Sequence, residues 1–67
     1  MPTLRLYRPI SFRECLPGAC SQILTRINGR IVQVTYLTEI DANHIKVYQP
    51  ETFTVLNIEK DAEWDRA

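Results

Sequence analysis

The sequence predicts a small, mainly β domain: a four- to five-stranded antiparallel meander that closes as a small barrel, behind a short N-terminal helix. Three observations lead there. Asn28-Gly29 separates two alternating apolar runs, and Asn-Gly suits a two-residue type I′ turn because both central residues need positive φ. Residues 31 to 58 are then rich in β-branched and aromatic residues, interrupted by turn residues at Asp41-Ala42-Asn43-His44 and by Pro50-Glu51-Thr52. Finally, a chain of 67 residues has too few strands for a sandwich, while a closed meander hides its edges.

Taken in order, Leu4 and Leu6 alternate with Arg5 and Tyr7, a short strand that Pro9 ends. Ser11-Phe12-Arg13-Glu14 fits a capping box, with Ser at the N-cap and Glu at N3, and Pro17-Gly18 stops the helix after about one and a half turns. If Ile27 pairs with Arg30, then Thr25 faces Val32, Ile23 faces Val34 and Ser21 faces Tyr36. One side of that ribbon collects Ile23, Ile27, Val32, Val34 and Tyr36. The other collects Gln22, Arg26, Gln33 and Thr35, with Leu24, Ile31 and Leu37 as exceptions.

The second strand is expected to continue through Thr38 and Ile40 on the core face, bending as it crosses the core, with Ile40 meeting Ile45 and Thr38 meeting Val47. His44 to Gln49 forms the third strand and Phe53 to Ile58 the fourth. The single domain thus divides into an arm with a short helix (1–22), a meander (23–59) and an acidic tail (60–67) that is either frayed or held by Trp64. The shape expected is that of a small SH3-like or Sm-like barrel.

Charge is uneven along the chain although the formal net charge is +0. Residues 1 to 30 carry Arg5, Arg8, Arg13, Arg26 and Arg30 against Glu14, a surplus of +4, and residues 31 to 67 carry a surplus of −4. Zero net charge argues against a protein that coats nucleic acid non-specifically, since that binding scales with the phosphates neutralised. The five arginines are the candidate partner-binding residues, their planar forks suiting carboxylate or phosphate. A second candidate face holds His44, Lys46 and Tyr48, arranged either as a platform for a base or peptide or as a surface half buried by the N-terminal arm.

Catalytic chemistry finds little foothold. Two glycines do not make a phosphate loop, no nucleophile elbow is present, and nothing places His44 beside a thiol with a group to orient it. Cys15-Leu-Pro-Gly-Ala-Cys20 allows an oxidised loop or two free thiols, whereas a tetrahedral metal site would need two further ligands. We expect no catalytic residue, no cofactor and no metal. No apolar run reaches the roughly 18 residues of a membrane helix, and no leader pattern opens the chain, so the expected location is the cytoplasm.

The stretch Asn28-Gly29-Arg30-Ile31-Val32-Gln33-Val34-Thr35, ending at Ile40-Asp41, resembles the first motif of Sm and LSm proteins. Val34 replaces their usual Gly, no Met-Asn pair follows Asp41, and their Arg-Gly motif near the fourth strand is absent. The resemblance over about residues 10 to 59 therefore implies the fold rather than uridine binding in a ring.

Tyr7-Arg8-Pro9-Ile10, with Ala19-Cys20 and Ile23-Leu24-Thr25, resembles more narrowly the Rof family, small Sm-like bacterial proteins that bind and inhibit the termination factor Rho. That resemblance implies a non-enzymatic regulator that docks through its N-terminal helix on a protein partner, itself an RNA-binding factor in transcription termination. Two alternatives stand beside it: an LSm-type RNA-binding protein, and a structural subunit that adds its strand edge to a partner sheet.

Overall fold

A computed structural model describes residues 5–67. The fold is mainly β, with no helix among the described residues and hence none long and apolar enough to cross a membrane. Six strands follow one another: β1 (Ile10–Ser11), β2 (Gln22–Ile27), β3 (Arg30–Glu39), β4 (His44–Gln49), β5 (Thr54–Glu59) and β6 (Glu63–Arg66). All pairings are antiparallel in a single sheet of order β1-β6-β2-β3-β4-β5.

The central hairpin has the register that the turn dictates. Asn28 and Gly29 lie at φ 52° and 78°, and Ile27 pairs with Arg30, Thr25 with Val32 and Ile23 with Val34. Ser21 meets Tyr36 just outside the strand, its carbonyl accepting the Tyr36 N–H at 2.8 Å. Ile23, Val32, Val34 and Tyr36 are buried on one face with Ile45, Val47, Phe12 and Trp64, while Ile27, Leu56 and Ile58 pack against them. Thr25 also points into this core, fully buried, and satisfies its hydroxyl by donating to the Glu63 carbonyl at 2.8 Å.

Beyond Tyr36 the expected register fails. A bulge between Tyr36 and Thr38 leaves Tyr36 opposite Val47, then pairs Thr38 with Lys46 and Glu39 with Ile45. The extra residue reverses which side chains face inward, since the side-chain period of a strand is two. Thr38 and Ile40 are therefore exposed rather than on the core face, and Glu39, not Ile40, lies opposite the core residue Ile45.

The capped segment is also different from expectation. Ser11 does cap: its Oγ accepts the Glu14 N–H at 3.2 Å, and its carbonyl accepts those of Glu14 and Cys15. Only one turn forms, however. Ser11 is held in β1 against Glu63, the Phe12 and Arg13 N–H groups are given to the carbonyls of Ala62 and Lys60, and Pro17 follows at once. A helix that cannot extend past its first turn does not recover the cost of nucleation. The short strand expected at Leu4 to Tyr7 lies partly outside the described residues; Leu6 and Tyr7 belong to no strand.

The acidic tail is structured. It becomes β6, inserted between β1 and β2, with Trp64 stacked on Phe12 at a centroid distance of 6.1 Å and its indole N–H donated to the Cys15 carbonyl at 2.9 Å. The connection from Glu59 to Glu63 also bends the sheet. In a flat sheet β5 and β6 would lie four strand spacings apart, about 19 Å, yet four backbone steps reach at most about 14 Å. The sheet must curl to bring β5 towards β6, and the Lys60 N–H seals that end by donating to the Asn43 carbonyl at 2.8 Å. No ladder joins β5 to β1, so the sheet is open between these edges rather than closed by hydrogen bonding.

Candidate functional site

Folding pairs two of the five early arginines with acids from the second half of the chain. Arg13 pairs with Asp61 at 2.8 Å and reaches Asn43, and Arg30 pairs with Glu51 at 2.8 Å near the β4–β5 turn. These two candidates are thus held by neighbouring carboxylates at separate places. Arg5, Arg8 and Arg26 are exposed and have no ion pair among the described residues, Arg26 lying on the outer face of β2 opposite Ile31. The five arginines do not form one continuous patch through their ion pairs.

What unites the arm is a carboxylate that the sequence reading did not single out. Asp65 Oδ2 accepts the backbone N–H of Tyr7 at 2.7 Å and of Arg8 at 2.9 Å, while Oδ1 accepts that of Arg66 at 2.7 Å. The Arg8 N–H, then that of Arg66, hold the Asp65 carboxyl below the usual carboxylate range, with Tyr7 and the Arg66 charge adding to the effect. The arm is thereby fastened to the outer face of β6. Leu24, the ladder neighbour of Asp65 on that face, is only 7% exposed. Tyr7 by contrast is 81% exposed although its backbone is pinned.

His44, Lys46 and Tyr48 do share the outer face of β4, all half-buried. Tyr48 lies between Thr35 of β3 and Val55 of β5, and Lys46 between Thr38 and Asn57. His44 is engaged in the turn: its Nδ1 is 3.0 Å from Asp41 Oδ1. The Asn43 N–H and the imidazole together draw the Asp41 carboxyl below its ordinary value. Beside this face Phe53 is 84% exposed at φ 54°, a left-handed conformation uncommon for a bulky residue.

Cys15 and Cys20 are free and exposed. No group of three or more His, Cys, Asp or Glu among the described residues is arranged to hold a metal ion. Nothing among family profiles, curated proteins or solved structures matches this chain.

Proposed function

We propose that this chain is a non-enzymatic regulatory binding protein of the Rof-like kind, in which the curled sheet serves as a small Sm-like barrel and the N-terminal arm docks on a protein of an RNA-handling or transcription-termination complex. The observation that carries the reading is Tyr7, exposed between Arg5 and Arg8 on a backbone tethered by Asp65. Tyr and Arg are the residue types that concentrate binding energy at protein interfaces. A backbone already ordered before binding lowers the entropic cost of association. The arm performs this role as an extended segment with one turn, not as a helix.

The test is titration of the labelled chain with purified Rho, alongside Tyr7→Ala and Arg8→Glu. Saturable binding, weakened at least about tenfold in each variant at unchanged melting temperature, is expected. Failure to bind at tens of micromolar would remove the Rof-like reading. A second reading, direct RNA binding, is favoured by Tyr48 with Lys46 beside it on the outer face of β4. It predicts affinity for oligouridine that falls steeply with salt and depends on Tyr48 rather than Tyr7.

A further inference from the structure

Along the C-terminal half of β6 two hollows of about 430 and 450 Å³ adjoin, sharing Cys15, Trp64 and Arg66 in their walls. Together they form a groove with the N-terminal arm on one side, contributing Arg8 and Ile10, and the segment containing Leu16 on the other. Ile10, Leu16 and Trp64 contribute the apolar part of its surface.

The side chains of the groove walls carry two positive charges against one negative. Arg8 and Arg66 are exposed, and neither has an ion-pair partner among the described residues. The only acidic side chain in the walls, Asp65, directs its two oxygens to three backbone N–H groups. Two guanidinium forks without ion-pair partners, beside the apolar side chains of Ile10 and Leu16, match an extended segment that carries carboxylates beside an apolar side chain, because each fork can take a carboxylate bidentately.

We propose that this groove binds an acidic peptide segment of the protein partner, and that Asp65 is a positioning residue which holds the arm in place as one wall. The inference rests on the docking role given to the arm and names the chemistry it recognises.

Trp64 is the single tryptophan of the chain, so its fluorescence reports directly on the groove. The probe is a synthetic peptide of alternating Asp and Leu, with alternating Lys and Leu as its counterpart and oligouridine as a third arm. A saturable fluorescence change with the acidic peptide is expected, with amide shifts concentrated at Arg8, Trp64 and Arg66, and none with the basic one. Arg66→Glu should weaken binding at least about tenfold. If that variant does not fold, Arg8→Glu in the arm decides.

Asp65→Asn separates the two roles of that carboxylate. Removing a negative charge from a positive groove should tighten acidic-peptide binding if only charge matters, whereas loss of the arm's tether should weaken it. Weaker binding, with displaced Tyr7 and Arg8 amides, is the expected result.

Tighter or unchanged binding in Asp65→Asn, equal affinity for the basic peptide, shifts on another face, or no saturable change would each overturn the proposal. So would oligouridine occupying the groove while the acidic peptide does not. Peptide binding without any binding to Rho would instead count against the Rof-like reading and leave the groove standing.

Discussion

The ammonium of Lys60 donates to the carboxylate of Glu39 at the end of the sheet where the chain turns from β5 into β6. Lys60 is nearly buried and Glu39 half exposed. The bulge after Tyr36 sets Glu39 opposite Ile45, on the side from which it reaches Lys60. It also bears on Tyr36, whose hydroxyl pKa is raised by burial first and by the Glu39 charge second, with Lys60 opposing.

Removing the two partners should therefore have unequal effects. Glu39→Gln leaves a nearly buried ammonium without its counter-charge and is expected to cost about 1–2 kcal/mol, below the range for fully buried pairs because Glu39 is half in water. Lys60→Met replaces the ammonium with apolar volume and should cost less. Urea denaturation of both variants checks this, and equal losses would mean that the pair contributes no more than its packing.

Val34 is 1% exposed at the middle of the core. Val34→Asp buries a carboxylate with no partner, at several kcal/mol against a total stability of roughly 3–5 kcal/mol for so small a core. The variant should be unfolded at 25 °C by circular dichroism. A cooperative melt at the parent temperature would contradict the packing of the central hairpin.

A Cβ on Gly29 would meet nothing within 4 Å, so Gly29→Ala tests backbone conformation alone. At φ 78° the alanine is strained, and a loss of about 1 kcal/mol is expected. Gly29→Asn should recover most of it, because Asn tolerates the left-handed region. Chemical denaturation with an unchanged slope would confirm that only the turn is affected.

Asp65 links the arm to pH. Its carboxyl lies below the ordinary value in the folded chain because the ionised form accepts backbone N–H groups. The stabilisation is thus complete above the unfolded pKa of about 3.9 and disappears as pH falls through the lower folded value. The amide resonances of Tyr7 and Arg8 should titrate with a midpoint below about 3.9, and Asp65→Asn at neutral pH should shift them in the same direction. Amides that stay constant while the Asp65 carboxyl itself is seen to protonate, followed through its side-chain carbon resonance, would show that the carboxylate does not hold the arm.

Much of the meander was legible because its information is local. Asn28-Gly29 specifies a turn, the turn specifies a register, and period-two alternation then assigns Ile23, Val32, Val34 and Tyr36 to one face without reference to the rest of the chain. The same logic misassigned Thr38 and Ile40, since a single bulged residue reverses the alternation and no residue type marks its place. For the candidate site, sequence alone grouped His44, Lys46 and Tyr48 on one strand face, but treated the arginines as a group when Arg13 and Arg30 are each held by a distant acid.

The amino-acid sequence by itself therefore determined the four strands of the meander and the inner face of its first hairpin, because strand alternation and turn chemistry act between near neighbours. Tertiary structure alone decided that the capped segment stops at one turn, that the acidic tail enters the sheet as β6, and that Asp65 fastens the arm. Each of these depends on which distant backbone donors and acceptors the curled sheet brings within reach: Phe12 and Arg13 find carbonyls at Ala62 and Lys60, and Tyr7 and Arg8 find a carboxylate 57 or more residues away. Such partners leave no periodic trace in the sequence, since they satisfy polar groups wherever the fold happens to present them.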